Sequence, residues 1–317
     1  MRTRSTALGA LFATATALAW GGQFVVGKSA LGNINAFPLS TVRYAVASAL
    51  WLVVLVAVEG RSSLRLEGRG LRLFWLGTLG FAGFNLLAYT GLAHAKPESA
   101  SLIVALAPLL TALVLWQRSG VRPSRTTFAM LGLALTGVAL VISGGHPATI
   151  FEGAIGWADV LVLGGVFCFV LYGLGAAEFG DLSPLRYTTL TASLGWLTIA
   201  AATIVALAAG LVAMPSAHML WSTTPQIAYL TVPGAFVAVL TWNAAIGLLG
   251  PQNAVLFGNL IPITTFVIEI VRGYRPNAVE LGGAALTIAA LVANNLLSRR
   301  APARVGEQEL VELPEAA

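Results

Sequence analysis

Apolar residues fill long stretches of this chain, and most polar residues fall between those stretches. A helix needs roughly 20 apolar residues to cross a bilayer core of about 30 Å, and ten stretches of about that length are present. They lie at 7–29, 37–58, 71–93, 98–116, 125–143, 155–176, 185–211, 225–248, 252–271 and 278–298. The segments between them are too short to form a domain outside the membrane. The pattern predicts an all-α polytopic membrane protein with ten transmembrane helices.

The composition excludes several other classes of protein. Of the 317 residues 57% are hydrophobic and 10% are charged, whereas a soluble domain has about a quarter of its residues charged. A soluble enzyme, a secreted scaffold and a disordered chain are therefore excluded. Cys168 is the single cysteine, which excludes a disulfide framework and a cysteine-rich metal site.

The distribution of Lys and Arg predicts the orientation in the membrane, because cytoplasmic loops carry the excess of these residues. With a cytoplasmic N-terminus and ten helices, the cytoplasmic side collects Arg2, Arg4, Arg61, Arg65, Arg69, Arg72, Arg118, Arg122, Arg125, Arg186, Arg299, Arg300 and Arg304. The opposite side receives only Lys28, Lys96, Arg272 and Arg275. We therefore expect an integral protein of the plasma (inner) membrane with both termini in the cytoplasm. The net charge of +5 is spread over these loops, so we expect no nucleic-acid partner.

The N-terminus also has the layout of a secretory signal peptide, because Arg2 and Arg4 precede an apolar stretch. That stretch continues to Val26, which is longer than the apolar region of a signal peptide. We therefore expect an uncleaved first helix.

The two halves of the chain resemble each other. Pro97 and Pro108 are eleven residues apart, and so are Pro251 and Pro262. Superposing the two pairs also places Ala100 on Ala254 and Gly80 on Gly234. We expect one repeat at 1–145 with helices 1–5 and a second at 150–300 with helices 6–10. Five helices per copy invert the second copy, and inverted repeats are typical of secondary transporters. Residues 301–317 are acidic and predict a disordered cytoplasmic tail.

Several short motifs resemble a known family. They are Trp20, Gly21, Gln23 and Phe24, then Pro38 to Arg43, Pro97, Ala100 and Pro108, and finally Trp242, Asn243, Pro251, Ala254, Asn259 and Pro262. In this order they look like the EamA family of the drug/metabolite transporter (DMT) superfamily, over residues 8–298. The resemblance implies ten helices in two inverted five-helix repeats, cytoplasmic termini, a central cavity and, usually, export of amino acids or other small metabolites.

This chain also departs from the family pattern. Many family members carry a Gly-Glu pair after the fourth and ninth helices, where this sequence has Gln117, Arg118 and Arg272, Gly273. No role of those glutamates carries over to this chain.

Among the ionisable residues inside the predicted spans, where a charge is costly and marks a functional site by default, four are singled out. They are Arg43, Asp159, Glu269 and Lys28, all in the predicted extracytoplasmic third. One hypothesis is a structural salt bridge near the interface. The other is a gate or a site for substrate charge, with Asp159 or Glu269 taking up protons. Arg43 matches the arginine that follows the Pro38 turn in the family, which favours an architectural role for it.

Uncharged polar and aromatic residues form stripes on helices one, three and nine, and helix eight contributes Trp242 and Asn243. The candidate substrate-binding residues are Trp20, Gln23, Asn85, Tyr89, Trp242, Asn243, Asn259 and Phe266. Interhelical packing is the alternative role for each one. Pro108 and Pro262 predict matched helix kinks that line the cavity, because proline frees a backbone carbonyl.

These observations predict a secondary transporter that moves small organic solutes outward by alternating access, and the resemblance implies that the solutes are amino acids or related compounds. The alternatives are an importer or antiporter of another metabolite, such as a nucleotide sugar, and an intramembrane enzyme or receptor-like bundle. The residues from Gly22 to Ser29 match a phosphate-loop pattern, but they lie in an apolar helix-length stretch. We expect no cofactor and no metal. The expected partners are a small-molecule substrate, the lipid bilayer and protons as a candidate coupling ion.

Overall fold

The computed structural model describes residues 2–300 except 121, 145, 147–155, 250–253 and 255–256. Within that part it does not describe the side chains of residues 2–5, 119, 177, 243, 295 and 298–300. All the regular secondary structure of the described residues is helical. The prediction of an all-α protein is therefore confirmed for this part of the chain.

Ten helices, numbered here in chain order, contain the apolar stretches. They are α1 (Arg2–Leu31), α2 (Ala36–Glu59), α3 (Gly70–His94), α4 (Pro97–Arg118), α5 (Arg125–Ile142), α6 (Trp157–Gly175), α7 (Pro184–Ala208), α8 (Thr224–Leu249), α9 (Leu260–Val271) and α10 (Ala278–Arg300). In the described residues, eight helices, α1 to α8, are long and apolar enough to cross a membrane. The apolar parts of α9 and α10 are shorter, and the predicted start of the ninth span at 252 lies outside the described residues. The count of ten spans stays a prediction.

Local sequence signals explain where the helices begin. The Asn35 side chain accepts a hydrogen bond from the backbone N–H of Phe37 at the start of α2. Ser183 does the same for Arg186 at the start of α7, where Pro184 occupies the first turn. Such caps satisfy backbone donors that have no partner within the helix.

Two long helices each contain a wider, π-helical segment. These segments are Thr78–Gly83 in α3 and Val232–Val237 in α8. A π-helical turn shifts the backbone hydrogen bonds by one residue and often marks a functional site. Both segments lie beside the polar cluster described below.

The helices pack in pairs along the bundle: α1 against α8 and α9, α3 and α4 against α6, α2 against α7, α5 against α10, and α4 against α9. Small residues allow the closest approaches, as is common between helices in membranes. A Cβ atom added at Gly137 of α5 would lie 2.5 Å from the carbonyl oxygen of Gly283 in α10. Large apolar side chains such as Val53, Ile204 and Val205 are exposed on the outside of the bundle, where a bilayer would cover them.

Candidate substrate site

A deeply buried charge in the bundle is that of Arg43, which lies about two turns into α2. Its side chain is 2% exposed, although arginine is rarely buried without a partner. Its guanidinium contacts residues of α1, α3 and α8, so four helices meet at this group.

The guanidinium of Arg43 donates four hydrogen bonds, all to uncharged acceptors. Nε donates to the carbonyl oxygen of Leu230 at 2.9 Å, and Nη2 donates to Oε1 of Gln23 at 2.6 Å. Nη1 donates to Oδ1 of Asn85 at 3.3 Å and to the hydroxyl of Tyr89 at 2.6 Å. We call Gln23, Arg43, Asn85 and Tyr89 the Arg43 cluster. Its four members were singled out from the sequence, and the fold brings them together.

Aromatic rings surround the same guanidinium. Its carbon lies 5.1 Å from the centroid of the Tyr44 ring and 5.3 Å from that of Tyr89, within the range of a cation–π interaction. Among the ion pairs of the described residues, none includes Arg43. The cluster therefore keeps a net positive charge inside the bundle.

Both π-helical segments contribute to this site. Nδ2 of Asn85 donates to the carbonyl oxygen of Phe81, within the first segment, at 2.8 Å. A Cβ atom added at Gly234, within the second segment, would lie 2.8 Å from Oε1 of Gln23. Glycine at 234 therefore leaves the space that Gln23 needs to reach Arg43.

An aromatic pair lies one turn along α1 from Gln23. The rings of Trp20 and Trp242 have centroids 5.5 Å apart and are tilted by 48°. Nε1 of Trp20 donates to the carbonyl oxygen of Gly234 at 3.1 Å. Both tryptophans remain partly exposed. Asn243, the next candidate along α8, has its side chain outside the described ones.

The candidates on α9 separate into two environments. Asn259 is 7% exposed, and its Nδ2 has no hydrogen-bond partner among the described residues. Phe266 is buried with Phe24 in an apolar core formed by α1, α3, α4, α5, α6, α9 and α10, so in this structure it packs and does not line an open space.

The two prolines predicted to kink helices lie at comparable breaks. α4 is interrupted at Leu106, two residues before Pro108. Pro262 lies in the first turn of α9, two residues after its start at Leu260. Both therefore sit where a helix segment begins.

The other three charged candidates do not join Arg43. Lys28 donates to the carbonyl oxygens of Leu92 and Ala93 at 3.0 and 2.8 Å. The Asp159 carboxylate caps α6 by accepting from the backbone N–H of Gly156, and Glu269 lies 3.6 Å from Arg272 on its own helix. None of the four residues forms an ion pair with another of the four, so the salt bridge considered between them is not present.

The sequence analysis missed a buried acid near Lys28. Glu98, in the first turn of α4, is 2% exposed. Nearby, the hydroxyl of Tyr274 donates to Glu280 at 2.8 Å, and Nζ of Lys96 lies 3.6 Å from the same carboxylate. A carboxylate as the first residue of the predicted span 98–116 was the available signal.

A second charged cluster joins the α2–α3 connection to the α6–α7 connection. We call it the loop latch. It consists of Glu67, Arg69, Arg72, Glu178, Asp181 and Arg186, linked by ion pairs of 2.5 to 3.0 Å. Hydrogen bonds from Arg69 lower the pKa of Asp181, and those from Arg186 lower the pKa of Glu67. The latch lies at the end of the bundle predicted to be cytoplasmic.

Comparison with known proteins adds independent information. A family model described as the EamA-like transporter family matches residues 7–143. The chain is 30% identical to the uncharacterized transporter YrdR of Bacillus subtilis (strain 168), over 92% of each chain. It is also 30% identical to the uncharacterized transporter YyaM of the same organism, over 84% of this chain and 87% of the other.

A more distant relative carries a more specific name. The chain is 25% identical to a probable terminal-alkyne amino-acid exporter of Streptantibioticus cattleyicolor, over 90% of this chain and 91% of the other. One crystal structure matches 95% of this chain and 100% of its own chain, with a TM-score of 0.65 and 19% identity. At that identity the likeness concerns the fold alone.

Proposed function

Because this chain belongs to the EamA-like transporter family, we propose that it exports amino acids or related small metabolites across the plasma membrane as a secondary transporter. Family and relatives indicate an integral membrane transporter, not an enzyme. The name of the amino-acid exporter relative supports this substrate class and direction.

The Arg43 cluster is the observation that carries the proposal. A buried, net positive group among membrane-spanning helices is costly, and such a group therefore marks a functional site by default. Trp20 and Trp242 lie one turn away and offer apolar surface, and Asn259 offers an unpaired amide. We propose that these groups form the substrate site between the two halves of the chain.

Alternating access between two inverted repeats is the proposed mechanism. The two π-helical segments begin 154 residues apart, which is also the separation of Pro97 and Pro251. The packing supports the same relation, because α1 against α8 corresponds to α6 against α3 when the halves are exchanged. Two similar halves of opposite orientation can exchange inward-open and outward-open shapes.

Protons are the proposed coupling ion. Asp159 and Glu269 were the acids considered from the sequence, and the buried Glu98 adds a third at the same end of the bundle. Neutralising the coupling acid, in Asp159→Asn, Glu269→Gln or Glu98→Gln, should abolish the response of transport to a pH gradient. An unchanged response in all three variants would contradict proton coupling through these acids.

The transport proposal is tested with the full chain reconstituted in proteoliposomes. We expect saturable, ATP-independent flux of radiolabelled amino acids. Trp242→Ala and Asn259→Ala should reduce this flux, whereas Trp221→Ala, which removes an 81% exposed ring, should not. Absence of flux for all amino acids tested, or enzymatic turnover without flux, would overturn the proposal.

The proposed orientation is tested separately. In a Cys168→Ala background, a cysteine introduced at Arg61 should be protected from a membrane-impermeant maleimide added to intact cells, because we place it in the cytoplasm. A cysteine introduced at His218 should react. The reverse pattern would contradict cytoplasmic termini.

A further inference from the structure

The positive charge of Arg43 has no counter-ion in the part of the chain that the structure describes. No carboxylate among the described residues lies within ion-pair distance of the guanidinium, and its contacts are all uncharged. Buried charges in proteins are normally paired, because an uncompensated charge in a low-dielectric interior is strongly unfavourable. The dipoles and rings around Arg43 reduce this cost, but they do not cancel the charge.

The guanidinium also retains a free donor. Arginine has five N–H groups, and four of them donate to Leu230, Gln23, Asn85 and Tyr89. The fifth, on Nη2, has no partner within the described part of the chain. This N–H is on the same nitrogen that donates to Gln23. The Gln23 side chain is flexible, so a stronger acceptor such as a carboxylate can displace its amide oxygen from Nη2.

We infer that Arg43 binds the carboxylate of the transported solute, and that the solute is a small monocarboxylate with an apolar or aromatic remainder. This inference rests on the proposed transport function. It gives Arg43 a role in recognition that goes beyond the structural role considered from the sequence.

The number of charges defines the anion. Gln23, Asn85, Tyr44 and Tyr89 are uncharged groups around a single cation, so one carboxylate group balances its charge. A phosphate monoester, with nearly two negative charges at neutral pH, would leave an excess negative charge. A carboxylate also matches the planar donor face of a guanidinium.

The surroundings define the rest of the solute. Trp20 lies on the same face of α1 as Gln23, and its ring centroid lies 5.5 Å from that of Trp242, so aromatic surface begins one turn from the charge. Asn259, directly before α9, is buried, and its amide donor has no partner among the described residues. α9 packs on this part of α1, where the hydroxyl of Thr265 donates to the carbonyl oxygen of Gly21. The solute's apolar part would contact the two rings while its carboxylate contacts Arg43.

The experiment measures binding to the purified full chain in detergent by titration calorimetry, with three sets of compounds. The first is leucine, methionine, phenylalanine and tryptophan. The second is the carboxamides of these four, which lack the anionic group. The third is the four corresponding acids without the amine, such as 4-methylpentanoate and 3-phenylpropanoate.

We expect the first and third sets to contain ligands that bind at least about 10-fold more tightly than their carboxamides, the range for a charge-assisted hydrogen bond. Arg43→Gln should remove this preference by weakening acid binding to the level of the carboxamides, and Arg43→Lys should retain part of it. Arg125→Gln, which changes an exposed arginine at the start of α5, should leave the preference intact.

Equal binding of acids and carboxamides by the unmodified protein would overturn the inference, and so would a preference that survives in Arg43→Gln. The comparison in the unmodified protein needs no variant, so misfolding of Arg43→Gln does not prevent the test. Flux without carboxylate preference would remove the inference and keep the transport proposal. Carboxylate-selective binding without flux of any bound compound would keep the inference about Arg43 and remove the transport proposal. Absence of both binding and flux would overturn the inference and the transport proposal together.

Discussion

Nη1 of Arg43 donates a hydrogen bond of 2.6 Å to the hydroxyl of Tyr89, and this bond joins α2 to α3 within the bundle. The two residues are 46 positions apart in the chain. The hydroxyl is the only polar group of the Tyr89 side chain, and it accepts this bond from the guanidinium of Arg43, the one cation of the cluster. Three of the predictions below start from such contacts between helices.

Tyr89→Phe should destabilise the protein and weaken transport. The substitution removes a neutral acceptor from a buried charged donor, which costs about 1.5–3 kcal/mol. Tyr229→Phe is the matched control, because its hydroxyl donates to the uncharged carbonyl of Ala19 at 3.2 Å and should cost only about 1 kcal/mol. The free energy of unfolding in detergent is measured for both variants. Equal losses of stability in the two variants would contradict a special role for the bond to Arg43.

Gly234→Ala should raise the KM for transport several-fold with little loss of folded protein. The added methyl group would lie 2.8 Å from Oε1 of Gln23, and the flexible amide would have to leave Arg43. Gly247→Ala, on the same helix, has no neighbour within 4 Å of the added atom and serves as the control. If the unmodified protein, Gly234→Ala and Gly247→Ala have the same KM, Gln23 does not contribute to the site.

Gly137→Ala should destabilise the packing of α5 on α10. The added atom would lie 2.3 Å from Oγ1 of Thr287 and 2.5 Å from the Gly283 carbonyl oxygen, and such overpacking typically costs about 1–3 kcal/mol. Gly132→Ala, in the same helix, meets nothing within 4 Å and should be neutral or slightly stabilising. Thermal unfolding in detergent compares the two, and similar midpoints would contradict the contact.

The loop latch should weaken as the pH falls. Because Arg69 lowers the pKa of Asp181 below its usual value of 3.8, the ion pair stabilises the folded state above that value. This contribution is lost as the pH falls through the lowered pKa. The melting temperature of the native protein should therefore exceed that of Asp181→Asn at pH 7, and the difference should shrink below about pH 4.

Salt provides the control for this prediction. Asp181 is exposed at the protein surface, and about 1 M NaCl screens exposed charges beyond roughly 3 Å. The difference between the native protein and Asp181→Asn should therefore also shrink in high salt at pH 7. A difference that depends on neither pH nor salt would show that the carboxylate does not stabilise the latch through its charge.

Helix positions could be predicted well from the sequence, because a membrane span needs a minimum apolar length. The second stretch was predicted at 37–58 and the helix is Ala36–Glu59. The π-helical segments could not be predicted, since one extra residue in a turn leaves no signal in a helix that is apolar on every side. Glu98 was missed because it lies at a predicted boundary, where a charge is ordinary, whereas the fold buries it.

The sequence by itself determined that this chain spans a membrane, where its main helices lie and which polar residues a bilayer tolerates poorly. It also marked Gln23 on helix one, Arg43 on helix two, and Asn85 with Tyr89 on helix three. Only the tertiary structure decided that these four residues form one group, whereas Lys28, Asp159 and Glu269 contact other partners. The periodicity of a helix determines on which face of that helix a residue lies, but it does not determine which neighbouring helix packs against that face. A buried guanidinium needs acceptors in several directions, and here α1, α3 and α8 supply them.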